Sequence, residues 1–485
     1  MGYNLRVMAD VEHALPKRAV AEEKWVGKRD LTTGSIHRNI WVLAVPMILE
    51  MATQSVTQIM DTYWVGRLGS AALAAVTISI TLRWVINSLA NGLGIGGMAV
   101  VARRIGARNK AQADHAAWQT ILLAMFASLA LGVLGILVAA PTLRILGADA
   151  EVLVMGVSYL RILFGGLFTL ILVFVINSLL RGAGEAGLAL RVLVLSQGLT
   201  IILEPLLIFG WGPFPALGVN GSAWASVLGF GAGVLFQMGI LLSGRARIAI
   251  PLITLRHGSG RGNLRDLWPD LPLMWHIIKI ALPSTVQMIL RSTSRLAILA
   301  IVGLYGTFAT AGFGVANRIL LIALIPGFGL GNATATLVGQ NLGATQPRRA
   351  ERSAWWVVAY NVGLLAVFVA VFLAFTRPLI TIFDSTPEVV DIGSQCLRIV
   401  APSLVFSAAG VVLARGFDGA GNTVPAMFVN LLTLWGMEVP LSYGLSQWTG
   451  LGVTGVWVGR AVANMANGLF FALWFRLGRW KRKKV

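Results

Sequence analysis

Residues 46–69 read PMILEMATQSVTQIMDTYWVGRLG, and residues 283–306 read PSTVQMILRSTSRLAILAIVGLYG. An offset of 237 positions lays Pro46 on Pro283, Gly66 on Gly303 and Gly69 on Gly306. The same offset carries Gly106 onto Gly343 and Trp118 onto Trp355. After a slip of three residues the match resumes at 234, pairing Arg181 with Arg415, Gly187 with Gly421, Glu204 with Glu438, Gly218 with Gly452 and Gly221 with Gly455. The chain is therefore an internal duplication whose copies run in the same sense. In an apolar chain this pattern points to a transporter, because transporters place a substrate cavity between two such halves and rock them around it.

Composition identifies the solvent. Of 485 residues 56% are apolar and 12% charged, and the mean hydropathy is +0.76. Twelve apolar stretches have the length of roughly 20 residues that a helix needs to cross a bilayer. They run over about 40–63, 73–100, 117–139, 153–178, 189–210, 221–242, 276–302, 309–338, 354–375, 391–414, 424–445 and 454–475. The expectation is an all-α integral membrane protein of two pseudo-symmetric six-helix lobes. Its parts are a lead-in over 1–39, a first lobe over 40–244, a linker over 245–275, a second lobe over 276–475 and a basic tail over 476–485.

The formal charge of +19 reads as topology, not as affinity for nucleic acid. Arg103, Arg104, Arg108 and Lys110 follow the second span, Arg245, Arg247, Arg256, Arg261 and Arg265 the sixth, and Arg348, Arg349 and Arg352 the eighth. The positive-inside rule puts these alternate loops, and with them both termini, in the cytoplasm, with the protein in the plasma (inner) membrane. The tail Lys481-Arg482-Lys483-Lys484 agrees and suits anionic head groups. The first thirty-odd residues are polar and do not resemble a secretory signal. One cysteine, Cys396, excludes an internal disulfide, and the five scattered histidines make no metal-ligand spacing. The Arg-, Gly- and Pro-rich linker reads as a hinge that lets two bundles tilt, or as a plain tether.

The chemistry concentrates in the first span. Glu50, Gln54, Thr57, Gln58 and Asp61 share one helical face at 100° per residue. A carboxylate facing lipid costs several kcal/mol, so this stripe must look into the bundle or a wet cavity, and Asp61 is its sharpest candidate. Hydration, or an ion pair with nearby Arg67, is the bland reading of Asp61. The duplication inverts the sign of the stripe. Glu50 becomes Gln287, Gln54 becomes Arg291, Thr57 becomes Ser294, Gln58 becomes Arg295 and Asp61 becomes Ile298. Arginine stays charged at any working pH, so Arg291 and Arg295 either pair with an acid, for which Glu438 is the expected partner, or receive an anionic substrate. Glu204 and Glu438 each lie beside a proline, Pro205 and Pro440. Proline frees a backbone carbonyl one turn earlier, an oxygen acceptor beside a carboxylate that suits a cation. Trp84, Asn87, Asn91, Asn317 and Arg318 are further candidates to line the cavity.

These residues resemble the multidrug and toxic compound extrusion (MATE) transporters, and the likeness spans nearly the whole chain. The first span carries the family's opening pattern in Pro46, Gln54 and Asp61 before WVGRLG. GARNKAQAD (106–114), SLLRGAGEAG (178–187) with its repeat ARGFDGAGNT (414–423), and LEPLLIFG (203–210) followed by GVNGSAWAS (218–226) are similar to family signatures in both order and duplication. The resemblance implies twelve helices in two lobes facing a central cavity, and export of cationic or amphipathic compounds against inward flow of protons or sodium. It is nearer the DinF-like branch, whose first-lobe cation site maps onto Asp61, Glu204, Thr200 and Ser226. Three of the four differ in identity from the branch pattern, though all bear oxygen. The NorM-like second-lobe sodium site is not expected, because the seventh span has Arg291 and Ser292 where a glutamate belongs, and the tenth, read as residues 400–416, has no acid.

The expected function is thus secondary active multidrug efflux by a monomer in the bilayer. No cofactor is expected beyond a coupling ion, H+ or Na+, the latter at Asp61 and Glu204. A flippase for a lipid or lipid-linked oligosaccharide is the alternative within the same superfamily, supported by Arg83, Arg291, Arg295 and Arg318. A membrane-embedded enzyme would need a nucleophile with a base or paired histidines, and the sequence offers neither.

Overall fold

The computed structural model describes residues 30–145, 147, 149–250 and 267–483. Most of the expected lead-in and the middle of the linker, residues 251–266, lie outside the described residues.

Among the described residues, twelve transmembrane-length helical segments follow one another. The first lobe contains α1 (Ile36–Gly66), α2 (Ser70–Gly106), α3 (Lys110–Ile145), α4 (Ala150–Gly165 and Leu167–Gly182), α5 (Ala186–Phe209) and α6 (Val219–Ser243). The second contains α7 (Leu271–Gly303), α8 (Thr307–Gly343), α9 (Pro347–Ala374), α10 (Pro387–Gly419), α11 (Thr423–Trp448) and α12 (Val453–Arg476). Ten of these are long and apolar enough singly to cross a membrane, α4 is a pair bent by 49°, and α2 spans 37 residues. The bend in α4 falls at Gly165-Gly166, where two weak helix formers meet. Residues Leu431–Glu438 of α11 form a π-helical stretch just ahead of Pro440, a distortion common where a helix interior carries function.

The duplication is written into the backbone. Gly69 and Gly306 begin α2 and α8 with φ of 107° and 90° and ψ of 175° and −176°, a conformation open to glycine alone.

The lobes are joined by reciprocal exchange at one end. The start of α1 (Ile40, Leu43, Met47) is buried in a core built mostly from α8, α9, α10, α11 and α12, while the start of α7 (Leu273, Ile277, Ile280) is buried in the core of the first lobe. α2 also packs on α7 and α8. At the centre of this end a Cβ on Gly106 would lie 1.9 Å from the carbonyl oxygen of Gln340, and one on Gly343 would lie 2.0 Å from that of Arg103. Gly106 and Gly343 are duplicates, as are Arg103 and Gln340, so the contact is isologous, as across a twofold axis. Hydrogen bonds between the lobes gather here too. Gln340 Nε2 donates to the carbonyl of Gly182 (2.8 Å), Thr336 Oγ1 to that of Arg181 (3.0 Å) and Arg103 Nη2 to that of Ala420 (3.1 Å).

The described ends of the linker are clamped to α3. Asp114 Oδ1 accepts from the amide of Ala249 at 2.8 Å, Gln119 Nε2 donates to the carbonyl of Trp268 at 2.8 Å, and His115 Nε2 lies 3.1 Å from Asp270 Oδ2. Asp270 caps α7 by accepting from the amide of Leu273. That bond, followed by His115 and the positive charge of Arg104, holds its carboxyl below the usual carboxylate range.

Candidate functional site

In the first lobe, α1, α2, α4, α5 and α6 enclose a cavity of about 240 Å³. Its wall brings together Gln54, Gln58 and Asp61 of α1, Asn87 and Asn91 of α2, Thr200 and Glu204 of α5 and Ser226 of α6. The helical face read from the sequence does look inward, since a polar stripe on a membrane helix finds its low-energy position against other polar groups.

Asp61 is 9% exposed, and Ser222 Oγ donates to its Oδ1 at 2.7 Å. Its charge partner is Arg83 of α2, with Nη1 3.9 Å from Oδ2. Arg67 instead turns outward, donating to Tyr63 Oη at 2.6 Å and lying over the Tyr63 and Trp64 rings. Glu204 is 1% exposed, and neither of its carboxyl oxygens receives a donor. It lies beside Asp61 and within the field of Arg83. The buried hydroxyl of Tyr159 stands beside Arg83. Two carboxyl groups therefore face one guanidinium, so that ionising both would leave one negative charge uncompensated at a buried site where charge is costly. Thr200 Oγ1 caps the adjoining turn by donating to the carbonyl of Ser196 at 3.0 Å.

Arg83, Tyr159 and Ser222 were not placed at this site from the sequence. Arg83 was the legible one, a lone arginine inside the apolar run 73–100. Tyr159 carries no signal that distinguishes it from an ordinary packing residue, and Ser222 shows only as one position of GVNGSAWAS (218–226). The side chain of Trp84 lies outside the described residues.

Glu50 does not join the cavity. It is fully buried, and Arg181 Nη1 of α4 reaches both of its oxygens at 3.2 Å. Arg181 is held in turn by Ser178 Oγ at 2.7 Å.

The second lobe corrects two expectations. Glu438 pairs with neither Arg291 nor Arg295. Ser294 Oγ donates to its Oε2 at 2.9 Å, and Arg460 Nε of α12 lies 3.6 Å from Oε1. Arg460 occupies the duplicate position of Ser226, so the second lobe supplies its counter-charge from α12 where the first uses Arg83 of α2. Asn317 Oδ1 accepts from Arg460 Nη2 at 3.0 Å. The tenth span is also not free of acids. α10 runs on to Gly419 and so contains Asp418, 2% exposed, whose Oδ2 lies 3.2 Å from Arg415 Nη1. Arg318 is exposed.

A family model for MatE matches twice, over residues 46–206 and 283–444. The chain is 27% identical over 452 residues to the probable multidrug resistance protein YoeA of Bacillus subtilis, covering 93% of this chain and 96% of that one. It is 26% identical over 442 residues to a protein of Shewanella oneidensis named FAD transporter, covering 91% and 95%. A crystal structure of MATE in the straight conformation matches with a TM-score of 0.84 at 28% identity, covering 92% of this chain and 97% of that one. The relatives' names diverge on cargo, so kinship alone does not fix the charge of what is carried. The twofold match, the twelve helices in two lobes and the likeness to solved transporters together place this chain in the MatE family of membrane transporters, and it is not an enzyme.

Proposed function

We propose that the chain is a secondary active exporter of cationic or amphipathic small molecules, working by alternating access in exchange for protons or sodium at Asp61 and Glu204. The observation that carries this reading is the pair of buried carboxyl groups, Asp61 and Glu204, set against the one guanidinium of Arg83 on the wall of a cavity, so that full ionisation would leave one negative charge uncompensated. Such a site discharges by taking a proton or a small cation, or by accepting the positive group of a substrate, and these occupants exclude one another. Exchange follows if ion and substrate differ in affinity for the two orientations of the cavity. Gln54, Gln58, Asn87, Asn91, Thr200 and Ser226 supply oxygen and amide groups around the acids. Because Arg83 already fills part of the role of a bound cation, the arrangement favours the proton over sodium.

The lobes, over 40–244 and 276–475, would rock about the reciprocal contact of α1, α2, α7 and α8. With the Arg-rich loops in the cytoplasm of an inner-membrane protein, the Gly106–Gly343 contact closes the cytoplasmic side, so the arrangement described is outward-facing. A monomer suffices, since the cavity lies within one chain.

The test is efflux of a fluorescent cationic dye in everted vesicles energised separately by proton and sodium gradients, with Asp61→Asn and Glu204→Gln beside the wild type. Loss of gradient-driven movement in both variants supports coupling at these acids, and full retention in Asp61→Asn overturns it.

A further inference from the structure

The second lobe carries more positive charge than it uses. Glu438 is engaged by Ser294 and Arg460, and Asp418 by Arg415 and by Ser284 Oγ at 3.3 Å. Among the described residues, Arg291 and Arg295 have neither a hydrogen bond nor an ion pair within 4.0 Å. The charged groups around Arg291 are Arg295, Arg415, Asp418 and Glu438, and those around Arg295 are Arg460 and Glu438. Four guanidiniums thus stand against two carboxylates, and both carboxylates are taken.

Position shows where these two side chains look. Arg291 and Arg295 are one turn apart on α7, on the side that also carries buried Ser284, Ile298 and Val302. The exposed apolar residues Leu282, Ile289 and Leu296 take the opposite side, the natural lipid face. Yet Arg295 is itself exposed and Arg291 half-buried, while their neighbour Ser294 is 1% exposed. Both guanidiniums are thus turned away from the lipid face, on the side of α7 whose Ile298 and Val302 pack into the second lobe. Their duplicates, Gln54 and Gln58, line the cavity of the first lobe. Above them α11 offers a polar ladder, with Asn430 Nδ2 donating to Gln287 Oε1 at 3.1 Å and Asn467 Nδ2 to Thr433 Oγ1 at 2.8 Å.

We infer that Arg291 and Arg295 form an anion-binding site in the second lobe that takes the carboxylate or phosphate group of an organic molecule. Two guanidiniums one turn apart present paired N–H donors to the oxygens of such a group, the geometry in which arginine outperforms lysine. The site uses none of the residues proposed for ion coupling and stands whether or not the cation-export reading holds. If both hold, the lobes offer opposite charge to what enters between them.

The experiment uses the full chain in nanodiscs of phosphatidylcholine, with carboxyfluorescein as the anionic probe and rhodamine 6G as the cationic one, read by fluorescence anisotropy. Arg291→Gln and Arg295→Gln install the residues found at the duplicate positions. Each should weaken carboxyfluorescein about tenfold or more, the usual effect of losing a charged hydrogen bond, and leave rhodamine 6G unchanged. Arg295→Lys should lose less than Arg295→Gln. Competition by added phosphatidylglycerol would show a lipid head group to be the occupant, and its absence a soluble anion, either supporting the site. Failure of the wild type to bind carboxyfluorescein, equal binding by wild type and variants, or parallel loss of both dyes overturns it. Loss of rhodamine 6G alone in Asp61→Asn concerns the first lobe and leaves this inference untouched.

Discussion

Replacing Gly106 by alanine should hold the two lobes apart at the end where they now meet. The added Cβ would stand 1.9 Å from the carbonyl oxygen of Gln340, against the 3.0 Å below which real Cβ contacts essentially do not occur. The obstacle is backbone inside α8, so no side chain can swing away and the helices must separate by about an ångström. A displacement of that size breaks the bonds from Gln340 to Gly182 and from Thr336 to Arg181. At about 1 kcal/mol net each, the closed arrangement loses about 2 kcal/mol, roughly a thirtyfold fall in its population relative to the alternative. Gly343→Ala should do the same from the other side, with a similar magnitude, because its Cβ meets Arg103 at 2.0 Å. The assay is pulsed electron–electron distance measurement between spin labels at Gln112→Cys and Arg348→Cys, both exposed, after Cys396→Ala removes the one native thiol. Both alanine variants should lengthen the distance and slow dye export. Unchanged distances with normal transport would refute the claim that this contact is the closed gate.

Three other outcomes are expected. Arg181→Leu leaves Glu50 buried without its partner and should cost about 3–5 kcal/mol in detergent unfolding, most of it regained in the Glu50→Gln/Arg181→Leu double variant; a double variant that folds but loses coupling as Asp61→Asn does would move Glu50 into the transport machinery. Arg83→Gln removes the guanidinium 3.9 Å from Asp61, an attraction of about 4 kcal/mol at an effective dielectric constant of about 20; sodium binding, read by titration against dye, should strengthen at least about tenfold, and no change would deny Arg83 the role of fixed counter-charge. Asp270, with its folded pKa depressed, contributes stability that is full above the unfolded value of about 3.9 and is lost as pH falls through the lower folded value. The docking of α7 on α3 should therefore hold at neutral pH and loosen only below about pH 4, and hydrogen exchange near Gln119 and Leu273 that already rises at pH 6 would contradict this.

Much of the site was legible because a bilayer punishes polar groups severely. A stripe of Gln54, Gln58 and Asp61 on an apolar helix has few tolerable places to point, and period alone puts the three on one face. Glu204 was legible for the same reason, through its duplicate Glu438. Partners were not legible. Asp61 chose Arg83 of α2 over Arg67, only six residues away, because Arg67 lies beyond the end of α1 and folds onto Tyr63 and Trp64. Glu438 chose Arg460 over Arg291 and Arg295, which share α7 with its other partner Ser294. Glu50 looked like a cavity residue and is a buried strut.

By itself the sequence determined the duplication, the membrane as solvent, the number of helices and the face that each polar stripe must hide, because spacing along one chain and the cost of desolvation are properties of local sequence. Only the tertiary structure decided which charges are brought together, where the lobes touch, and that two acids meet one arginine in the cavity of the first lobe while Arg291 and Arg295 of the second lie within 4.0 Å of no acid among the described residues. Those outcomes depend on distances of a few ångströms between helices far apart in the chain, and in a medium of low dielectric constant a few ångströms separate an ion pair from an open binding site.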